Sequence, residues 1–280
     1  MKLAQKLAVN YLRARLNIIA LVSKKKAAKK AFQIFCTPYY KSKKKYPPLF
    51  EKGEKISVDL EGLRIKGFRF NHPQENKVLL IHGFESSVKT FDRYIIPFIK
   101  KGYEVIAFDA PAHGRSEGKQ IILPLYIAML EKVFEHFGPI NRFISHSFGG
   151  LALAHFLEKM PDGAFAKAVF IAPATETTTA IDSFFKFLDL PVEIRTAFDQ
   201  HIIDKGGAAP SYFSIHRAIK NITSKILWIH DEDDQLTPIK DVLKVKQENH
   251  LHVEYLITTG LGHHKIIRDN NVIRRISEFL

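Results

Sequence analysis

Six short apolar runs, separated by stretches of helical spacing and polar loops, limit the fold of this chain more than any other feature. They are "KVLLIH" (77–82), "YEVIAFD" (103–109), "NRFISH" (141–146), "KAVFIA" (167–172), "KILWIHD" (225–231) and "VEYLIT" (253–258). Successive side chains of a strand point to opposite faces, so runs that are apolar at consecutive positions need cover on both sides. Helical spacing over 91–101, 123–137, 148–159, 239–246 and 271–280 supplies the crossovers of a mostly parallel sheet. Before the first run, "KISVDLEGLRIKGFRF" alternates around a Gly and predicts an antiparallel hairpin. The expected class is α/β, with an eight-stranded, mostly parallel sheet and helices on both faces.

One interval is too long for this scheme. Residues 175–221 separate two strands by far more than one crossover helix needs, and they hold the apolar cluster Phe184, Phe185, Phe187, Leu188, Leu190 and Pro191. A small helical cap, inserted at about 175–221 over the strand ends, is expected. The chain is 46% hydrophobic and 25% charged, as a soluble globular protein should be. Its one cysteine, Cys36, excludes an internal disulfide framework and suits a reducing, cytoplasmic compartment. Neither thiolate zinc sites nor His/Asp/Glu clusters at metal-ligand spacing are found, so no metal or cofactor is expected.

Charge divides the chain more sharply than hydropathy does. Of 42 Lys and Arg, 13 fall within residues 1–50, where Asp and Glu are absent; the other 29 face 29 acidic residues. The expected organisation is therefore a basic N-terminal arm, 1–50, and a neutral body, 51–280. Lys6, Arg13 and Arg15 interrupt any signal-peptide core, and no run of about 20 apolar residues spans a bilayer. On a helical wheel Leu3, Leu7, Tyr11, Ala14, Ile18, Leu21 and Val22 share one face, with Lys2, Lys6, Arg13 and Lys24 opposite. Two fates are open to such a basic amphipathic helix: packing on the body, or weak, salt-sensitive contact with an anionic membrane surface, peripheral to the inner leaflet. Nucleic acid is not an expected partner, because no stacking surface accompanies the lysine runs 24–30 and 41–45.

In an open α/β sheet the site forms beyond the carboxyl ends of the strands. Gly83-Phe84 follows the first run, "APAHGRS" the second, Ser147 the third, Asp234 the fifth and "TTGLGHH" the sixth. A serine, an acid and a histidine thus arrive from different strands in the order Ser, Asp, His. Over residues 56–280 the sequence resembles the α/β-hydrolase superfamily, whose nucleophile elbow is G-x-S-x-G. Here the elbow is Ser145-His146-Ser147-Phe148-Gly149, with serine in place of the first glycine. "IHGF" resembles the family's oxyanion loop. "FDAPAHGRS" resembles its D-x-P-G-H-G-x-S turn, with Ala112 for a glycine. "IHDEDDQLTP" resembles its acid loop, with Asp231 for a glycine, and "GLGHH" its histidine loop.

The resemblance implies that Ser147 is the nucleophile, His263 its base and Asp234 the acid that orients the imidazole, with the backbone N–H groups of Phe84 and Phe148 forming the oxyanion hole. His264 competes with His263 and is expected at the rim. Asp231, Glu232 and Asp233 are most simply solvated loop charges. His82, His113 and Asp109 are expected in structural hydrogen bonds, and His146, His155 and His230 in no catalytic role. His146 adjoins Ser147 in sequence, but neighbours on a strand point apart. The implied activity is hydrolysis of a carboxylic ester or thioester with a small or medium apolar acyl group. An acyltransferase or cofactor-free peroxidase-like enzyme would carry the same triad. A non-catalytic binding protein on a hydrolase scaffold is the alternative of a different class. Haloalkane dehalogenases and epoxide hydrolases share the fold with an aspartate nucleophile, and Ser147 argues against both.

Overall fold

The computed structural model describes residues 3–39, 45–160 and 163–280. Lys2, Lys41, Lys43 and Lys44, and the side chain of Leu3, lie outside the described residues. The strands are β1 (Glu54–Leu60), β2 (Leu63–Phe70), β3 (Lys77–Ile81), β4 (Glu104–Phe108), β5 (Arg142–His146), β6 (Lys167–Ile171), β7 (Lys225–Asp231) and β8 (Val253–Thr258). The helices begin with α1 (Leu3–Val22), α2 (Lys24–Phe35), α3 (Asp92–Lys100), α4 (Leu123–Phe137), α5 (Phe148–Leu157) and α6 (Thr177–Leu188). They continue with α7 (Val192–Gly206), α8 (Ile215–Ala218), α9 (Ile239–Gln247), α10 (Gly262–Lys265) and α11 (Asn270–Phe279). By contact the chain divides into a sheet unit, Pro38–Thr175 with Ile215–Leu280, and a helical unit, Met1–Thr37 with Glu176–Ser214.

In the sheet unit the strand order is β1-β2-β4-β3-β5-β6-β7-β8. The β1–β2 hairpin is antiparallel and β2 runs antiparallel to β4; every later pairing is parallel. Apolar runs on both faces find cover on both. Val78, Leu80, Val105, Ala107, Ile144, Val169, Leu227 and Ile229 join Phe91, Tyr94, Ile95 and Phe98 on and just before α3, and Val272, Ile273 and Ile276 of α11, in one core. The alternate residues Leu79, Ile81, Ile106, Phe143, Phe170 and Trp228 are equally buried. On that side Phe143 meets Phe156 of α5, and Phe108 meets Phe137 of α4. This is the α/β-hydrolase fold.

The chain runs from β3 to β4 on one side of β3, then returns to pair β5 on the other. That reversal is a topological switch point, where the loops leaving adjacent strands diverge and leave a crevice. The loop after β3 and the turn after β5 flank it. α5 begins hard against the end of β3, and Gly149 permits this. A Cβ there would lie 2.5 Å from the His82 carbonyl oxygen and 2.6 Å from that of Ile81, both backbone atoms.

The helical unit assembles from two distant pieces of sequence. α2 buries its small face, Ala27, Ala28 and Ala31, with Ile34, and packs on α7. Phe32 meets Phe198 and His201 edge-on, and Phe35 meets Phe184. Arg13 Nε donates to the Leu188 carbonyl at the end of α6 (2.9 Å), and its guanidinium lies 3.6 Å from Asp189. An antiparallel bridge between Glu176 and Ser214 joins the two ends of the insertion. The boundary at residue 50 that charge draws is thus not the one that contact draws. The arm up to Thr37 is the packing partner of residues 176–214, and residues 215–221 go with the sheet unit. Cys36 is buried, and burial pushes its thiol up to about 12.

The face of α1 that packs is not the one the helical wheel singles out. Leu16 is buried, with Val9, Leu12, Ile19 and Ala20 half-buried beside it, whereas Leu7, Tyr11, Ile18, Leu21 and Val22 are exposed. Among the described residues no helix is long and apolar enough to cross a membrane.

If α5 rests on β3 as described, Gly149→Ala will lower stability by about 1–3 kcal/mol through overpacking against backbone. The measurement is the urea midpoint at constant m-value; an unchanged midpoint would show that the two elements are not in contact.

Candidate active site

Ser147 sits between β5 and α5 with φ 54° and ψ −124°. A side chain other than glycine is strained in that region, by about 1–3 kcal/mol, and stays there only where its surroundings fix it. Here the surroundings do. The Ser147 N–H donates to the Ile171 carbonyl at the end of β6 (3.1 Å), and the Ser147 carbonyl accepts from the N–H groups of Gly150 (2.9 Å) and Ala174 (3.1 Å). Gly83 clears the space opposite, where a Cβ would fall 2.8 Å from Ser147 Cβ. Ser145, the departure from the family's glycine, is accommodated by the sheet: its hydroxyl donates to the Val169 carbonyl at 2.9 Å.

The structure brings Ser147, His263 and Asp234 into one hydrogen-bonded line. Ser147 Oγ is 3.0 Å from His263 Nε2, and His263 Nδ1 is 2.7 Å from Asp234 Oδ2. Burial alone would raise the Asp234 pKa, but the hydrogen bond and charge of His263, with the Thr237 amide and hydroxyl, hold it down at about 2. Asp234 is therefore a carboxylate and an acceptor only. The His263 proton must then reside on Nδ1, which leaves Nε2 free to accept from the Ser147 hydroxyl. Asp234 is itself held. Its Oδ1 accepts from the N–H groups of Leu236 (2.8 Å) and Thr237 (2.9 Å), and its Oδ2 from Thr237 Oγ1 (2.7 Å). His264 is exposed.

Two features of this line are not evident from sequence. Thr237 contacts both the acid and, at 3.2 Å, the His263 ring; His230 Nε2 donates to the Thr237 carbonyl and fixes that turn. Asp231 is not a solvated loop charge. It is fully buried, and its carboxylate accepts from the N–H groups of Gly262 (2.9 Å), Leu261 (3.1 Å) and Asp233 (3.1 Å) and from Thr258 Oγ1 (2.7 Å). Asp233 Oδ2 accepts from the Gly260 N–H at 2.9 Å. The acid loop thus holds the turn that delivers His263. A signal for this exists in the chain: Asp231 is the last residue of a strand buried on both faces.

His82, His113 and His146 are fixed in hydrogen bonds. His82 Nδ1 donates to the Gly83 carbonyl (2.7 Å) and Nε2 accepts from the Ala110 N–H (2.9 Å). Burial drives its pKa down to about 4, so it is neutral. His113 accepts from the Glu85 N–H at 3.0 Å and donates to the Pro111 carbonyl at 2.9 Å. The residues on either side of Phe84 are pinned in this way. Phe148 is the first residue of α5, where N–H groups have no intrahelical acceptor. The rings of Phe84 and Phe148 lie 6.4 Å apart. His146 Nε2 donates to the His263 carbonyl at 3.1 Å; burial and then the His263 charge press its pKa to about 3. Asp109 accepts from the N–H groups of Val88 and Arg115 and from Tyr46 Oη, tying down the turn after β4. In that turn Ala112 adopts φ 66°, where the family's motif carries glycine. Among the described residues no group of His, Cys, Asp and Glu is arranged to hold a metal ion.

Comparison with known proteins agrees with the fold. A family model described as serine aminopeptidase, S33, matches residues 72–198. The non-heme chloroperoxidase of Burkholderia pyrrocinia is 28% identical over 214 residues, covering 59% of this chain and 76% of that protein. The bifunctional esterase/perhydrolase of Acinetobacter calcoaceticus is 25% identical over 217 residues, covering 60% and 78%. Among solved structures, a Pyrococcus furiosus esterase superposes with a TM-score of 0.66 at 20% identity, over 87% of this chain and 95% of the other. The thioesterase domain of a curacin biosynthetic pathway superposes with a TM-score of 0.58 at 16% identity, over 81% and 98%. Over these lengths the chain is similar to esterases and other hydrolases, and it shares the fold of the solved ones.

The carboxylates of this site give stability a definite pH dependence. Burial opposes the charge of Asp231, but hydrogen bonds from Thr258 and the Gly262, Leu261 and Asp233 amides outweigh it and lower its pKa. With Asp234 also lowered, both contribute stability that is complete above about pH 4, where unfolded carboxyls ionise, and is lost as pH falls toward about 2. Asp231→Asn replaces an acceptor with a donor facing donors. It is expected to lower neutral-pH stability by about 1–3 kcal/mol and to flatten the acid limb of the urea midpoint. Full stability of the variant at pH 7 would refute the role given to this carboxylate.

Proposed function

We propose that the protein is a serine hydrolase that cleaves a carboxylic ester or thioester through an acyl-enzyme on Ser147. The observation that carries this reading is the unbroken line from Ser147 Oγ through the His263 ring to Asp234, with Ser147 held on a strained turn at a helix start. His263 Nε2 takes the hydroxyl proton as Ser147 Oγ attacks the carbonyl carbon. The N–H groups of Phe84 and Phe148 receive the oxyanion, each such donor lowering the barrier by about 3–4 kcal/mol. Collapse expels the alcohol or thiol, which leaves with the proton from His263. Water then gives a proton to His263 and attacks the acyl carbon. The carboxylic acid departs and Ser147 regains its proton. Asp234 keeps Nδ1 protonated and balances the charge on the ring. The Phe84 and Phe148 rings beside the nucleophile support an apolar acyl group of small or medium size. No cofactor enters this scheme.

A second reading changes only the acceptor. Hydrogen peroxide in place of water would release a peracid from the same acyl-enzyme. The names of the chloroperoxidase and esterase/perhydrolase relatives favour testing it. Peracid formation measured against hydrolysis, with peroxide and water in competition, separates the two.

A panel of p-nitrophenyl esters of increasing acyl length tests the main reading. Turnover should peak at short to medium chains, and Ser147→Ala should lose on the order of 10⁴- to 10⁶-fold in kcat. Asp234→Asn should lose about 10⁴-fold, because the imidazole then settles in the wrong tautomer. Undiminished esterase activity in purified Ser147→Ala would end the proposal.

A further inference from the structure

An apolar stripe runs along the solvent side of α1. Leu7, Tyr11, Ile18, Leu21 and Val22 fall within an arc of about 100° on the helix and are 60%, 64%, 64%, 88% and 82% exposed. The opposite side of the same helix is also apolar, and it is the side that packs: Leu16 is 1% exposed, with Val9, Leu12, Ile19 and Ala20 half-buried around it. A helix with apolar residues on two opposite sides is satisfied only where both are covered. Within the helical unit only one side of α1 is.

The charges that α1 and α2 themselves carry beside the stripe are all basic. Lys6 and Arg15 are exposed on α1, and Lys24, Lys25, Lys26 and Lys29 are exposed on α2, which begins two residues after Val22. Residues 3–37 contain neither Asp nor Glu. Three of these lysines occupy the first turn of α2, where the helix's own partial charge is positive and repels them; a facing anionic surface relieves that repulsion. Among the acidic residues of the insertion, Asp189 and Glu193 line the same hollow as Leu21 and Lys24, and three are engaged by arginines. Asp189 pairs with Arg13, and Asp182 and Asp199 pair with Arg195.

We propose that this face of α1, with the lysines that open α2, docks on an anionic lipid bilayer surface, the stripe entering the headgroup–acyl boundary and the lysines meeting lipid phosphates. A broad apolar stripe bordered by lysine and arginine is the pattern of a helix lying in the plane of a membrane. Charge decides against the other occupants. A second copy would set the lysines that open α2 against their own counterparts, and a nucleic acid would leave the apolar stripe unused. The proposal does not depend on the reaction at Ser147.

Vesicle sedimentation of the full chain tests it, with phosphatidylcholine vesicles compared with vesicles carrying about 30 mol% phosphatidylglycerol, in about 50 mM and about 500 mM salt. Binding to the anionic vesicles should exceed binding to the neutral ones at least tenfold and should weaken severalfold in high salt. The variant Leu7→Ser/Ile18→Ser/Leu21→Ser should bind at least tenfold more weakly with an unchanged thermal midpoint, since all three side chains are exposed. Lys24→Gln/Lys25→Gln/Lys26→Gln should lose most of the salt dependence. Equal binding to both vesicle types, or wild-type binding by the serine variant, would overturn the proposal. So would a dimer in size-exclusion chromatography that the serine variant dissolves, for the stripe would then be covered by a second copy.

Discussion

The strained backbone of Ser147 is the constraint on which the rest of the site depends. Its left-handed turn lifts the hydroxyl off the end of β5 and starts α5 in the same step. A strain of about 1–3 kcal/mol must be offset by neighbours that permit nothing else. They come from the ends of both adjoining strands. The last residue of β6 supplies the Ile171 carbonyl and the loop after it the Ala174 amide that hold Ser147 in place, and the loop after β3 supplies Gly83, the only residue type that leaves room for its Cβ. Gly149 lets α5 sit against the end of β3. The sheet order therefore does more than position a serine. Pairing β3 with β5 at the switch point is what sets the loop bearing Phe84 against the helix start bearing Phe148.

Electrostatics divides the polar groups around that turn into two kinds. The buried imidazoles of His82 and His146 are kept neutral by loss of water, and each serves as a hydrogen-bonding fixture. Asp234 and Asp231 keep their charge because several donors outweigh the same loss of water. One carboxylate sets the tautomer of His263. The other, three residues earlier, gathers the amides of the turn on which His263 is carried. A single acidic loop thus fixes both the tautomer of His263 and its location.

Much of this is legible in the chain. Consecutive apolar positions in six short runs can only be buried on both faces, and the structure has those strands within a residue at either end. The loops that leave the strands point to Ser147, Asp234 and His263, because a parallel sheet brings its carboxyl ends to one side. Other parts are hidden for physical reasons. Asp231 looks like one more charge in "DEDD", and only the burial of the β7 end distinguishes it. α1 carries apolar residues on two opposite sides, so periodicity finds a stripe without saying which one packs. The grouping of α2 with α7 depends on a contact between residues about 170 apart, and Ala27, Ala28 and Ala31 give it no louder signal than helix propensity does.

The central claim is that a nucleophile has been made from Ser147 by its turn and by His263. The most direct measurement is mass spectrometry of the folded protein after reaction with a fluorophosphonate, with the adduct mapped to a residue. One phosphonyl group per chain, on the peptide holding Ser147 and absent from His263→Ala, is the predicted result. No adduct on folded protein, or an adduct on another residue, would contradict the account.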